Sequence, residues 1–309
     1  MNDELKQTRK DAIFTNQVDS KDLPGSIIYK PRKQFTVRLK EPHEKQSEFI
    51  YSTARYKIVR AGRRGGKTTA LAILAVIWFL EGKRVMYAVP SADQMNRFWK
   101  EVCMALGELF VNRVFYKNET EHIIELLGTD QRIKARTAWN ADMLRGDYAD
   151  LLILDEFQLM NEDTWGLIGA PMLMDRNGAA VFVYTPPSLH SRSAMKANDP
   201  RHATKMYAEK KALIEAAKEK GRQSLWAVFH WTSLDNPHLS RAGLDAVREN
   251  MTQLAIRQEI MAEELENIPG ALWTQEMIDR NRSVLSTEIL KPKMKRIAVA
   301  IDPPGGSTQ

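Results

Sequence analysis

A glycine-rich loop between two apolar segments carries the strongest chemical signal in this sequence of 309 residues. Residues 57–69 read KIVRAGRRGGKTT, a candidate strand followed by a turn and then by Lys67 and Thr68 at the start of an apolar helix. Successive backbone N–H groups in such a turn, with the positive end of the following helix, form a site for phosphate. Lys67 would contact the β- and γ-phosphates of a nucleotide, and Thr68 would bind Mg²⁺.

The loop departs from the usual G-x-x-x-x-G-K-[ST] spacing at its first position, where Ala61 stands. An ordinary turn before a helix is the alternative, but the flanking strand and helix favour a phosphate loop. The candidate ATP-binding residues of the loop are Gly62, Arg63, Arg64, Gly65, Gly66, Lys67, Thr68 and Thr69.

A second signal is the segment 151–156, which reads LLILDE and places Asp155 88 residues after Lys67. Four aliphatic residues in a row are typical of a strand that is buried on both faces of a parallel sheet. Ligands of open α/β sheets bind at the carboxyl ends of the strands, where Asp155 and Glu156 would lie. Asp155 would hold Mg²⁺, and Glu156 would orient and deprotonate the attacking water. Together the two motifs predict ATP hydrolysis.

These motifs need a parallel α/β sheet to bring them together, and the pattern of the chain predicts one. The predicted strands are Lys57–Ala61, Arg84–Val89, Ile123–Leu127, Arg132–Thr137, Leu151–Leu154, Val181–Thr185 and Trp226–Trp231. The predicted helices are Lys67–Leu80, Asp93–Leu106, Glu162–Met174 and Lys205–Lys220, with a further helical segment over Ser240–Met261. We therefore expect an N-terminal extension (1–44), a core (45–232) and a small subdomain (233–290), before a new strand over Arg296–Ile301.

Composition excludes several other classes of protein. The net charge is +6, 43% of the residues are hydrophobic and 27% are charged, which excludes a wholly disordered, collagen-like or coiled-coil chain. The single cysteine, Cys103, excludes an intrachain disulfide framework. The longest apolar run, Ala70–Leu80, has 11 residues, whereas a bilayer span needs about 20. The excess of basic charge is compatible with a polyanionic partner.

The motifs in this order resemble the large terminase subunit of tailed bacteriophages, the ATPase–nuclease that packages DNA into a procapsid. The resemblance covers about residues 42–309. Its segments are 41–46 (EPHEKQ), 61–68 (AGRRGGKT), 144–146 (LRG), 151–158 (LLILDEFQ), 184–187 (YTPP), 232–237 (TSLDNP), 270–273 (GALW) and 297–306 (IAVAIDPPGG). It implies a P-loop ATPase of the ASCE, RecA-like type, with a mainly parallel sheet flanked by helices and a small helical lid over 233–290.

The resemblance also implies roles for single residues. Gln46 stands where such ATPases have a glutamine that contacts adenine, with a solvated helix residue as the alternative. Arg63 stands where terminases have an arginine implicated in hydrolysis. The neighbouring Arg64 could take that role instead, and either arginine could face a carboxylate or DNA. Arg145 would be an arginine finger that enters the ATP site of the neighbouring subunit, unless its Arg-Gly turn is structural. Thr185 matches the coupling motif that senses the γ-phosphate, with a plain turn residue as the alternative.

Asp302 follows the last predicted strand, in the sequence DPPGG. In the family such an aspartate is the first metal ligand of a two-metal nuclease site with an RNase H-like fold, so residues 291–309 would be the start of that domain. The other carboxylates of the site would lie beyond residue 309. The sequence therefore predicts ATP hydrolysis without DNA cleavage by this chain, and Asp302 could also be a simple turn residue.

The implied cofactors are ATP and Mg²⁺. The implied partners are double-stranded DNA, the portal protein and procapsid, the small terminase subunit and further copies of the chain in a ring. In isolation the chain would be a monomer. No membrane is implied, and the implied location is the host cytoplasm. One alternative is a helicase-like translocase built on the same core. Another, from a different class, is a non-catalytic, nucleotide-dependent portal- or DNA-binding module. A terminase relative that serves another DNA process also remains open.

Overall fold

The computed structural model describes residues 37–138, 146–186, 199, 201–265, 277, 280, 281 and 292. Contacts divide the chain into two units, residues 1–264 and 265–309. The first contains the sheet and its helices, while in the second the side-chain amide of Asn281 donates to the carbonyl oxygen of Met277. None of the helices in the described ranges is long and apolar enough to cross a bilayer.

Among the described residues of the first unit, eight strands form one sheet. The strands are β1 (Tyr56–Ala61), β2 (Arg84–Val89), β3 (Tyr116–Asn118), β4 (Ile123–Glu125), β5 (Arg132–Thr137), β6 (Leu151–Asp155), β7 (Ala179–Tyr184) and β8 (Trp226–Trp231). Their order across the sheet is β3-β4-β5-β2-β6-β7-β1-β8. The pairs from β5 to β8 are parallel, and β3 and β4 add an antiparallel edge. The predicted α/β fold with a mainly parallel sheet is therefore confirmed.

Helices cover both faces of the sheet. They are α1 (Glu44–Ile50), α2 (Lys67–Leu80), α3 (Ala92–Ala105), α4 (Gly107–Val111), α5 (Ala170–Met172), α6 (His202–Glu219), α7 (Arg241–Glu249) and α8 (Gln253–Ala255). Short 3₁₀ turns lie at Phe157–Leu159 and Ser233–Asp235, and π-helical turns lie at Thr164–Gly169 and Ile256–Ile260.

The sheet separates two apolar clusters because alternate residues of a strand face opposite sides. In β6, Leu151 and Ile153 face the cluster formed with α2 and α3, whereas Leu152 and Leu154 face the cluster that includes Phe157 and Phe182. Ten residues of α2 are buried, which explains why this helix is apolar on every side. The P-loop helix is thus fixed rigidly against the sheet.

The largest departure from the sequence prediction concerns residues 162–174. The apolar spacing predicts one α-helix there, but the chain forms the π-helical turn and the short α5. Pro171 interrupts the ladder of backbone hydrogen bonds, because proline has no N–H group. At Gly169 a Cβ atom would lie 2.9 Å from Leu152 Cδ2. Close packing against β6 therefore determines the path of this segment.

Two further differences are smaller. The three-residue strand β3 carries too little pattern to be predicted, since it alternates for only one repeat. The segment predicted as one helix over Ser240–Met261 is broken after Glu249, and the Thr252 hydroxyl begins the next turn by accepting from the backbone N–H of Ala255 at 3.2 Å. The predicted bounds of α2, β2, β5 and β8 are confirmed.

Candidate nucleotide-binding site

The glycine-rich loop joins β1 to α2 in a conformation that needs its glycines. Gly66, the N-cap of α2, has a φ of 82°, and a Cβ atom there would lie 2.4 Å from Gln46 Nε2. A Cβ atom at Gly62 would lie 2.4 Å from the carbonyl oxygen of Ile260. Side chains at these positions would displace the neighbouring segments, so the loop is closely enclosed.

Four successive carbonyl groups of the loop are held by side chains from elsewhere in the chain. The bonds are Ser233 Oγ to Arg63 O, Asn236 Nδ2 to Arg64 O at 2.8 Å, Trp231 Nε1 to Gly65 O at 2.8 Å, and Gln46 Nε2 to Gly66 O at 2.8 Å. The first backbone bond of α2 runs from Ala70 N to Gly66 O at 3.0 Å, so the N–H groups of residues 67–69 have no partner within the helix. With its carbonyls bound and these N–H groups available, the loop can bind an anion.

The segment that follows β8 completes the enclosure of the loop. The backbone N–H of Arg63 donates to the carbonyl oxygen of Glu259 at 2.6 Å, and the Arg63 guanidinium lies 3.6 Å from the Glu259 carboxylate. Glu264 forms an ion pair with Arg60 at 3.4 Å, one residue before β1 ends. Residues 233–236 and 259–260 therefore pack directly on the loop.

The Lys67 ammonium group contacts three uncharged oxygen atoms. Its Nζ donates to Thr185 Oγ1 at 2.7 Å and lies 3.4 Å from the carbonyl oxygen of Ala61 and 3.3 Å from that of Gly62. Thr185 is buried directly after β7, and its hydroxyl donates to Ala61 O at 3.1 Å. The structure thus joins the ends of β1 and β7 to the lysine, and its positive charge can turn toward a phosphate.

Asp155 ends β6 with its carboxylate buried. It accepts hydrogen bonds from Tyr87 Oη at 2.8 Å and from the backbone N–H of Glu156 at 3.0 Å. Burial, and then the neighbouring Glu156 carboxylate, raise the pKa of Asp155, while the Tyr87 hydroxyl and the Lys67 charge oppose that rise. A buried carboxylate beside a second carboxylate is stabilised by a cation, and carboxylate oxygens suit Mg²⁺. Asp155 therefore has the chemistry of a magnesium ligand, and the Thr68 hydroxyl at the start of α2 would be a second oxygen ligand.

The loop and the acidic strand lie at the same edge of the sheet. In the parallel register Asp155 pairs with Val183 on one side of β7, and Arg60 pairs with Tyr184 on the other. Neighbouring strands lie about 4.8 Å apart, so the carboxyl ends of β6 and β1 are about 10 Å apart. The Lys67 charge lowers the pKa of Asp155, which agrees with this short distance.

Glu156 follows β6 with a φ of 53°, a left-handed conformation that is unfavourable for a residue with a side chain. One carboxylate oxygen accepts a hydrogen bond from Gln158 Nε2 at 2.7 Å. Strained backbone persists only where its surroundings hold it, and here the bond between the Asp155 carboxylate and the Glu156 N–H does so. Glu156 is therefore held at both its backbone and its side chain.

The other residues singled out in the sequence differ in their placement. Gln46 is buried, and its side-chain oxygen accepts a hydrogen bond from the backbone N–H of His43 at 3.0 Å. Its amide nitrogen donates to the carbonyl oxygen of Gly66, so the side chain holds the loop at this residue. The side chain of Arg63 is 74% exposed. Arg145 and Asp302 lie outside the described residues.

Sequence reasoning missed several contributors to the site, which are Tyr87, Gln158, Trp231, Ser233 and Asn236. Of these, Ser233 and Asn236 belong to the segment TSLDNP, which contributes to the family resemblance and indicates a turn but no contact with the loop. Trp231 ends a strand, where an aromatic residue ordinarily indicates core. Only the folded chain brings the donors of Trp231, Ser233 and Asn236 to the loop, and those of Tyr87 and Gln158 to the acidic pair.

Comparisons with known proteins agree with this geometry. The family model described as Terminase large subunit, T4likevirus-type, N-terminal, matches residues 58–280. The chain belongs to this terminase family. A terminase large subunit of Thermus phage G20c is 25% identical over 170 residues, which is 48% of this chain and 35% of that protein. This terminase chain thus spans about a third of the length of that relative.

Solved structures share the fold. The ATPase domain of the large terminase of Thermus phage P74-26 superposes with a TM-score of 0.54 at 21% identity, covering 73% of this chain and 94% of that one. The large terminase of another thermophilic bacteriophage, solved in complex with ADP, has a TM-score of 0.50 at 15% identity, covering 72% of this chain and 53% of that one. At these identities the likeness establishes the fold of the core.

Proposed function

We propose that this chain hydrolyses ATP with Mg²⁺ and that the hydrolysis drives double-stranded DNA into a procapsid. The proposal rests on one observation: the anion-binding loop, Lys67, Thr185 and Asp155 lie together at one edge of the sheet. Membership of the terminase family supports the DNA-packaging role. Further copies of the chain in a ring, the portal protein, the small terminase subunit and a host-cytoplasmic location are parts of the same proposal.

The chemistry would begin with the phosphates of ATP on the N–H groups of the loop. Lys67 would exchange its contacts with carbonyl oxygens for the β- and γ-phosphates, where its charge stabilises the transition state. Mg²⁺, held by Thr68 and Asp155, would neutralise charge on the β- and γ-phosphate oxygens. Glu156 would accept a proton from water as the water oxygen bonds to the γ-phosphorus and the bond to the β–γ bridging oxygen breaks.

Thr185 is suited to report the state of the nucleotide. Its hydroxyl contacts both the Lys67 ammonium and Ala61 O. When Lys67 turns to a γ-phosphate, Thr185 loses this donor and its hydroxyl can bond elsewhere. We propose that this exchange is the coupling step, and that Arg63 or Arg64 adds positive charge at the phosphates.

We propose that Arg145, which lies outside the described residues, acts as an arginine finger on a neighbouring subunit. Two positions later, Asp147 accepts hydrogen bonds from Arg84 and Arg132, the first residues of β2 and β5. Burial alone would raise the pKa of Asp147, but hydrogen bonds from Lys134 and Arg84 and the charge of Arg132 outweigh burial and lower it to about 2. Asp147 is thus fixed at the amino ends of the strands, at the edge opposite the P-loop.

Turnover measurements test the proposed function. Phosphate release by the purified chain is measured with and without Mg²⁺, linear duplex DNA and portal-bearing procapsids. We expect release that requires Mg²⁺ and that both DNA and procapsids increase, because the finger and the DNA path are completed by assembly. Absence of release under every condition would contradict the ATPase, and release that neither DNA nor procapsids change would contradict the motor.

A further inference from the structure

The side chain of Gln158 lies next to the proposed water-activating residue. Gln158 belongs to the 3₁₀ turn Phe157–Leu159 and is only 5% exposed. Its Nε2 donates to Glu156 Oε2 at 2.7 Å, two residues back along the chain. A hydrogen bond from an amide to a carboxylate is stronger than one between neutral groups, and burial strengthens it further.

The Glu156 carboxylate determines how the Gln158 amide is oriented. Gln158 Oε1 is buried and has no hydrogen-bond partner among the described residues. A buried acceptor without a partner is costly. Reversing the amide would place this oxygen against a carboxylate oxygen and would remove the bond to Glu156. The side chain therefore leaves its oxygen unpaired and keeps its donor on Glu156.

The turn that carries Gln158 is itself fixed. The backbone N–H of Leu159 donates to the carbonyl oxygen of Glu156 at 2.9 Å and closes the turn. Phe157 is buried, with its ring 5.1 Å from that of Phe182 in β7 and 4.8 Å from that of His202 in α6. The amide of Gln158 thus has a rigid base on the sheet and on α6.

We propose that Gln158 is a positioning residue that holds the Glu156 carboxylate in one orientation toward the attacking water. This inference depends on the proposed ATP hydrolysis. A glutamate at the end of a strand has three rotatable side-chain bonds, and each additional orientation lowers the fraction of time in which its oxygen faces the water. Fixing one carboxylate oxygen leaves the other available to accept the proton, which is the benefit of a preorganised base.

Gln158→Met tests the inference, because methionine keeps the length and volume of the side chain and removes the donor. We expect kcat for ATP to fall about 10- to 100-fold while KM changes less than about twofold, since the phosphates are bound by the loop. Gln223→Met, at an exposed position in the loop before β8, is the matched control and should turn over like the wild type. Thermal unfolding and binding of an ATP analogue show that each variant is folded.

The decisive comparison repeats Gln158→Met in a Glu156→Gln background, with single-turnover hydrolysis of radiolabelled ATP. If Gln158 acts through Glu156, the second substitution lowers the residual rate less than about twofold. Equal losses in both backgrounds, a rise in KM alone, or unchanged turnover would overturn the inference. Should the methionine variant unfold, Gln158→Asn, whose amide is one methylene short of Glu156, gives the same comparison.

The two proposals can fail separately. Turnover that survives Glu156→Gln would contradict the role of Glu156 in the proposed function, and the inference about Gln158 would fall with it. If Glu156→Gln abolishes turnover and Gln158→Met leaves it unchanged, only the inference about Gln158 is overturned.

Discussion

Replacing Lys67 with alanine is expected to lower kcat/KM for ATP about 100- to 1,000-fold, which corresponds to about 3–4 kcal/mol of lost transition-state stabilisation. The Lys67 ammonium group contacts a hydroxyl and two carbonyl oxygens, so its charge is free for the nucleotide. The substitution removes the positive charge that is proposed to contact the β- and γ-phosphates. It also removes a donor to Thr185, whose hydroxyl keeps its bond to Ala61 O.

Two measurements separate lost chemistry from lost folding. Phosphate release gives kcat/KM, and the thermal unfolding midpoint should stay within a few degrees of the wild type because the lysine head group is only partly buried. Lys220→Ala, at the exposed end of α6, is the matched control. A Lys67→Ala variant that hydrolyses ATP like this control would show that the loop does not bind the reacting phosphates.

Glu156→Gln is expected to separate nucleotide binding from hydrolysis. Glutamine has the same shape but cannot accept a proton from water, and general base catalysis contributes about 100- to 10,000-fold to a rate. We therefore expect the single-turnover rate to fall by that factor. The affinity for Mg²⁺ and ATP should change little, because the loop, Lys67 and Asp155 are intact.

The control for this variant is Glu219→Gln, an identical substitution at the exposed end of α6. Binding is measured by fluorescence of a labelled ATP analogue, and hydrolysis by phosphate release. Loss of binding together with hydrolysis would assign Glu156 to the magnesium site instead. Unchanged hydrolysis would exclude it as the base and would favour a different water-activating group.

The sequence predicted those parts of the site that depend on local order. The run LLILDE specifies a buried strand and places Asp155 at its carboxyl end, and the apolar run after Lys67 specifies α2 with the observed bounds. Parallel pairing then brings the two ends together, because all carboxyl ends of parallel strands meet at one edge. The fold and the meeting of the two motifs follow from these local signals.

Contacts between distant segments could not be predicted in the same way. Trp231 donates to Gly65 across 166 residues of chain, and Asn236 donates to Arg64 across 172. Neither residue type indicates such a bond, since a tryptophan at a strand end resembles core and an asparagine before proline resembles a turn. Gln158 is near Glu156 in sequence, but its role depends on the 3₁₀ turn, which a three-residue pattern does not reveal.

The central claim is that one nucleotide with one divalent cation binds between the glycine-rich loop and the end of β6. A crystal structure of the chain with a non-hydrolysable ATP analogue and Mn²⁺ tests it most directly, because the anomalous signal locates the manganese. We expect a manganese peak between the Thr68 hydroxyl and the Asp155 carboxylate, with the terminal phosphate on Lys67. A nucleotide bound elsewhere, or manganese remote from both residues, would contradict the account.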